Sequence, residues 1–308
     1  MRNYSVGHLI YLCALNFGLM SRFCVLVAII LCVLYGDLSA QGYNIGIRAG
    51  ISQTQFLGPS EPNAQEDYGL NGGFHFGLNF QWNFNDVIGV RSEILYNQTG
   101  TNYKFFSDDG FYIFGLFNNS RFVLRDTSEI NLQQSNAYLH FPQTFHFKIN
   151  SRWEAFVGGY FGVLLNPTAR GTIVFGGQSF TQEHSFEQGL DFDYNSDEAG
   201  DASFFARPIL IRVTGEDVDL PGVIGAYYLQ ETKTSDKFFG IDYGLVGGIS
   251  YYMNRNLYFM LRAEYGIKDI TNRLGDMSYQ EVVDNGIVRF NDDNDRNFGL
   301  HLSIGFKF

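Results

Sequence analysis

His301 and Ser303 stand two residues apart near the end of the chain. A histidine within reach of a serine hydroxyl is the minimum for nucleophilic acyl transfer, the chemistry of a membrane lipid hydrolase. Alternation along a strand puts both on one polar face, away from apolar neighbours, and no carboxylate partner can be assigned to them. DFDYNSDE, from Asp191, opens like a calcium loop, with Asp191, Asp193 and Asn195 at alternate positions. Such a loop needs Gly at its sixth position and Glu at its twelfth. Ser196 and Ala202 stand there, so the segment reads as a solvated acidic loop, and DDND at Asp292–Asp295 reads likewise. His75, His140 and His146 fall on polar strand faces, where Glu93 or Asp242 could join them, but no metal-ligand spacing supports a site. The expectation is no catalytic set, no metal and no cofactor.

The charged residues carry a different chemistry. Arg48, Arg91, Glu93, Lys148, Glu154, Asp242, Arg262, Glu264 and Lys268 recur on the polar faces of alternating segments, with both signs intermingled. Pairing across short turns places Lys148 beside Glu154, or His146 beside it one register over. It places Asp242 opposite Lys268 or Gly266. Buried ions are tolerable when paired and hydrogen-bonded, so these residues are expected to form a salt-bridge network.

Eight period-two segments must position them. They begin at Tyr43, Phe74, Ile88, Tyr138, Trp153, Phe239, Leu257 and Gly299. FHFGLNFQWNF, from Phe74, is the clearest. Phe74, Phe76, Leu78, Phe80, Trp82 and Phe84 share one face, opposite His75, Gly77, Asn79, Gln81 and Asn83. The segment from Tyr138 has an apolar face of Leu139, Phe141, Phe145 and Phe147, interrupted by Gln143. The connections alternate strictly between short turns and long stretches of roughly 20, 35, 70 and 25 residues, as in an antiparallel barrel with its turns at one end and its loops at the other.

The apolar face must be covered by a protein core or by lipid. The polar face is rich in glycine and in charges of both signs, which suits a narrow barrel interior better than an exposed wall. Trp82, Phe84, Trp153 and Tyr251 gather near the short-turn end, as an interfacial aromatic girdle would. Runs of about 10 to 13 residues suffice for tilted membrane strands. A soluble ligand-binding barrel with its apolar face inward is the competing architecture. The expected fold is all-β: an eight-stranded antiparallel up-and-down transmembrane β-barrel with short periplasmic turns and long extracellular loops, its lumen plugged by the ion pairs.

Bulk composition agrees. Of 308 residues, 17% are aromatic and 35 are glycine, a mixture that favours strands. The formal charge of −11 argues against nucleic acid as a partner. All three cysteines, Cys13, Cys24 and Cys32, precede Ala40, which leaves no disulfide framework beyond it. Arg22 followed by the apolar run Phe23–Tyr35 and by GDLSA-Q predicts a signal peptide over residues 1–40, with Met20 as an alternative start. Residues 41–308 then form the barrel domain and are delivered to the outer membrane. In the long connections, YKFFSDDGFYIF from Tyr103 reads as a hairpin turning at its Asp-Asp-Gly, and TIVFGGQSF and RPILIRV read as further short strands. Their aromatics are expected to pack a cap over the barrel or to meet a protein or glycan partner.

The chain resembles the PorT-like outer-membrane β-barrel family of Bacteroidota. The resemblance rests on NIGIRAGIS, YLHFP at Tyr138–Pro142, FVGGYFGVLL, FGIDYGLVGGISY, RAEYGIKDI and the terminal GLHLSIGFKF, in that order, and covers the strands rather than the loops. It implies outer-membrane lipid as the surroundings and Phe308 as the terminal signal read by the barrel-assembly machinery. The family's founding member is linked to type IX secretion, so membership in a secretion or other envelope transport assembly is the alternative to an anchor that displays its loops.

Overall fold

The computed structural model describes residues 42–59, 65–113, 123–176, 185–203, 208–213, 216–228, 232–233, 235–272, 279–283, 287–290 and 294–308. The expected leader over residues 1–40 lies outside them, as do Phe180 and Asp292–Asp293. Fifteen strands are described: β1 (Tyr43–Leu57), β2 (Gln65–Asn83), β3 (Ile88–Ile113), β4 (Val123–Lys148), β5 (Trp153–Phe175), β6 (Phe186–Asp193), β7 (Ala202–Ser203), β8 (Ile209–Val213), β9 (Glu216–Leu220), β10 (Val223–Ile224), β11 (Ile241–Tyr252), β12 (Leu257–Gly266), β13 (Tyr279–Val283), β14 (Ile287–Phe290) and β15 (Arg296–Lys307).

Eight of them close a ring in the order β11-β12-β15-β1-β2-β3-β4-β5, with β5 pairing back to β11. All the pairings in this ring are antiparallel. Closure leaves the wall without a free edge, which a hydrocarbon environment requires of backbone polar groups. Phe308 continues the ladder, its N–H donating to the Ile45 carbonyl at 2.8 Å.

The faces divide as the alternation demands. Phe74, Phe76, Leu78 and Phe80 point outward and are exposed, Phe76 by 52%, whereas Arg91 and Arg262 point inward at 1%. The exposed outer face continues through Ile47, Ile94, Phe145, Val157, Leu245, Phe259 and Leu302. The polar Gln143 on this face is met by Ser92 of the neighbouring strand, whose hydroxyl donates to Gln143 Oε1 at 2.6 Å. At the short-turn end Trp82 lies 5.8 Å from Phe84, and Trp153 lies 4.9 Å from Tyr251, ring centre to ring centre.

The two long connections nearest the N-terminus are largely strand. β3 and β4 run 26 residues each, far beyond the 9–11 or so that cross a bilayer. Asp108-Asp109-Gly110 is not a turn, contrary to the sequence expectation. It sits at a bulge within β3, and pairing with β4 resumes at Gly110↔Asp126 and persists to Ile113↔Val123. Two further irregularities re-phase the strands: one between Leu70 and His75 in β2, and one opposite Ala137–Tyr138, where β5 gains Leu165. A bulged residue shifts every following side chain to the other face. Inward residues of β5 are therefore even-numbered below Leu165 (Glu154, Phe156, Tyr160) and odd-numbered above it (Ala169, Ile173, Phe175).

Above the membrane belt the polarity turns over. Inward positions become Tyr103, Phe105, Leu132, Ile173 and Phe175, packed with Phe186, Leu190, Tyr194, Ile211 and Tyr227 of the third long connection. Outward positions become Lys104, Glu129, Gln133 and Arg170, all exposed. The extension is a water-soluble protein in miniature, with β6 added beside β5, and β10 and β7 beside β6.

A charge on the outward face should therefore matter by height. Leu78→Arg, in mid-belt, is expected to destabilise the barrel by about 2–4 kcal/mol, whereas Lys104→Ala should stay within about 0.5 kcal/mol. Urea unfolding of protein refolded into lipid vesicles measures both; equal costs would remove the assignment of the belt.

Candidate functional site: the lumen and its cap

The lumen is filled by a connected set of ions and hydrogen bonds. Arg48 donates to Glu93 Oε2 at 2.7 Å, and Arg262 reaches the same oxygen at 3.5 Å. Arg262 also pairs with Glu264 at 2.8 Å. Glu264 is met by His301 at 3.1 Å and by His140 at 3.7 Å. Nearer the short turns Arg91 pairs with Glu154, and the Tyr252 hydroxyl donates to the same carboxylate. The Arg91 guanidinium also lies 5.9 Å from the centre of the Phe156 ring and 5.8 Å from that of Tyr258.

Neutral groups complete the packing. Arg48 donates to Ser303 Oγ at 3.1 Å, Arg91 to Gln81 at 3.1 Å, and Asn79 to the Tyr258 hydroxyl at 3.2 Å. Glycines make room for the larger rings: a Cβ on Gly50 would stand 2.7 Å from His75 Nε2. Arg48, Arg91, Glu93, Glu154, Asp242, Arg262 and Glu264 are all buried. A guanidinium out of water is costly, and these arrangements offset part of that cost with charge-assisted contacts.

Two of the nine expected network residues stand apart. Lys148 is the pairing neighbour of Glu154, but Glu154 takes Arg91 instead, and Lys148 remains half-buried near the turn. Lys268 lies beyond the end of β12 with its ammonium 4.8 Å over the Phe239 ring, and is not an ion-pair partner of Asp242. Asp242 instead accepts hydrogen bonds from the Tyr160 hydroxyl at 3.0 Å and from Asn297 at 2.9 Å. The sequence reading missed Tyr160, Tyr252 and Tyr258 as lumen groups. Their even numbers on β5, β11 and β12 place them in phase with Glu154, Asp242 and Arg262, which was the available signal.

Ser303 and His301 both face the lumen and are buried. Ser303 is hydrogen-bonded to His75, at 2.7 Å, and to Arg48, while His301 is committed to Glu264. Neither meets the lipid face, where an acyl substrate would lie. In the acidic loop, Asp193 Oδ1 accepts the N–H groups of Asn195 and Ser196, and Asp197 Oδ2 accepts those of Asp193 and Ala226. These carboxylates hold turns together. Asp295 is buried, and its Oδ2 accepts from the Thr271 hydroxyl at 3.1 Å. Among the described residues no group of three or more His, Cys, Asp or Glu side chains is arranged to hold a metal.

The cap carries a cationic cluster of its own. Lys233 donates to the carbonyls of Tyr194, Asn195 and Asp197. Lys237 lies 6.0, 5.9 and 5.6 Å from the ring centres of Phe192, Tyr194 and Tyr227. Burial among these rings pushes its ammonium down to about 8, against a smaller opposing pull from Asp197.

The family match fits this architecture. The family model described as "Outer membrane protein beta-barrel domain" matches residues 39–272. No curated protein matches the sequence. Among solved structures, Ail of Yersinia pestis is 12% identical, with 86% of this chain and 98% of that one covered and a TM-score of 0.32. Neisserial surface protein A is 12% identical over 87% of this chain and 99% of that one, with a TM-score of 0.32. OprG from Pseudomonas aeruginosa is 12% identical over 87% and 97%, with a TM-score of 0.30.

Removing one partner of a buried pair leaves the other charge stranded. Glu154→Gln is expected to cost about 3–5 kcal/mol, and Arg91→Met with Glu154→Leu distinctly less than that single change. Urea unfolding of the three proteins in vesicles checks this; a double variant as unstable as Glu154→Gln would mean that the pair is held for something other than charge compensation.

Proposed function

The chain belongs to the outer membrane protein β-barrel domain family and resides in the outer membrane, and from that premise we propose that it is a sealed, non-conducting anchor that displays a folded external cap. The observation that carries this reading is the turnover of polarity along one continuous wall. The membrane-level lumen is closed by arginine–carboxylate pairs, and the same strands then rise to enclose an aromatic core beyond the bilayer. A transport pore would need a wet passage at both levels. Here Arg91, Arg262, His301 and Asp242 are nearly inaccessible, and the cap above them is packed as a protein interior is.

A partner, protein or glycan, would meet the outer surface of this cap, and Phe308 would serve the barrel-assembly machinery as a terminal signal. The finer placement in the PorT-like family of Bacteroidota, and with it a role in a secretion or envelope transport assembly, rests on the ordered strand motifs. The cap favours display, because a large packed external structure is of little use to a subunit acting only through its barrel sides.

Purified protein in planar bilayers should give no steady single-channel openings, and proteoliposomes should admit small sugars no faster than lipid alone. Sustained large currents would defeat the sealed barrel. Mild-detergent extraction followed by identification of bound proteins separates display from assembly: a stoichiometric secretion partner would favour the latter.

A further inference from the structure

One carboxylate of the lumen has no ion pair. Buried in the barrel are three guanidinium groups, Arg48, Arg91 and Arg262, and four carboxylates, Glu93, Glu154, Glu264 and Asp242, and Lys307 adds a half-buried ammonium at the short-turn end, 5.1 Å from the centre of the Tyr252 ring. Arg91 neutralises Glu154, and Arg48 and Arg262 together neutralise Glu93 and Glu264. His140 and His301 both face Glu264. Asp242 remains without a cationic partner among the described residues, although its side chain is fully buried.

Its surroundings are rich in oxygen. Tyr160 and Asn297 both donate to Oδ2. Asp242 Oδ1 has no hydrogen-bond partner, and neither do Asn297 Oδ1 and the Tyr138 hydroxyl. The Tyr138 hydroxyl faces the side chains of Asn297 and Asn136 at long hydrogen-bonding range, with Asp242 nearby. All four of these residues are at least nine-tenths buried. Glycine keeps the neighbourhood open to rings, since a Cβ on Gly162, which pairs with Asp242, would stand 2.7 Å from His140. An unpaired buried carboxylate is among the costliest groups a fold can hold, and several buried oxygens left over around it are what a hard cation takes as ligands.

We infer that Asp242, Asn297 and Tyr138 form a binding site for a small monovalent cation such as Na⁺ at the external end of the lumen. One carboxylate with neutral oxygens matches a single positive charge. The site also has a place in the architecture. Asn136 accepts from Gln134, and Gln134 in turn accepts from the hydroxyl of Tyr194 in the cap core. A cation here would tie the cap's seating to the barrel beneath it. The inference stands whether or not the cap binds a partner.

The test is refolding from urea into detergent micelles in NaCl or in choline chloride at equal ionic strength, so that the cation can enter as the lumen closes, followed by thermal unfolding in the same salt. The wild-type midpoint should rise by about 5 °C or more at saturating Na⁺, with a saturable dependence. Asp242→Asn should abolish that dependence, and in choline chloride it should unfold no earlier than wild type. Tyr138→Phe, which keeps the charge, should need at least about tenfold more Na⁺ to reach the half-maximal shift; it serves as the test should Asp242→Asn fail to fold. Identical wild-type midpoints in the two salts would overturn the site. So would a Na⁺ dependence that persists in Asp242→Asn, or a half-point unchanged in Tyr138→Phe.

Discussion

No ion within a membrane-level lumen can rely on bulk water, so each must find its complement among the other lumen side chains. The rest of the structure depends on this constraint. Arg48 of β1 finds Glu93 of β3, Arg262 of β12 spans Glu93 and Glu264, and Arg91 of β3 finds Glu154 of β5. Arg48–Glu93 and Arg91–Glu154 each skip one strand, and Arg262–Glu93 joins β12 to β3, four places apart in the ring, so the last spans the lumen of the closed barrel. Closure in turn satisfies the backbone against hydrocarbon. The ion pairs and the hydrogen-bonded wall are two sides of one requirement.

The second organising feature is vertical. A strand that passes from hydrocarbon to water must exchange the polarity of its two faces at the boundary. β3 does so without breaking phase: Arg91, Glu93, Asn97 and Thr101 face inward below, and Tyr103 and Phe105 face inward above. Outward, Ile94 and Tyr96 give way to Lys104. β5 makes the same exchange with a bulge at Leu165, which brings Ala169, Ile173 and Phe175 into the core. The cap is thus an extension of the wall rather than a set of loops laid upon it, which is why a 26-residue strand is useful here.

Much of this was legible in the alternation. The period of two fixed which side chains share a face, and glycine with mixed charges on the polar face pointed to a narrow interior rather than a solvent-facing wall. The family match over residues 39–272 agrees with that reading. The cap was half legible. Tyr103, Phe105 and Ile173 looked like strand residues, but the Asp108-Asp109-Gly110 triplet has the composition of a turn and is in fact a bulge. Composition cannot separate the two, because both favour small and polar residues at unpaired positions.

The sequence by itself determined the parity of each strand, and so the belt and the identity of the inward-facing charges, because alternation is a local property of an extended chain. Only the tertiary structure decided who pairs with whom. Glu154 has Lys148 as its pairing neighbour but takes Arg91 from two strands away, and Asp242 ends with Tyr160 and Asn297 in place of Lys268. Partners across a closed ring depend on barrel circumference, on stagger and on each bulge along the way, none of which is written in the sequence of any one strand.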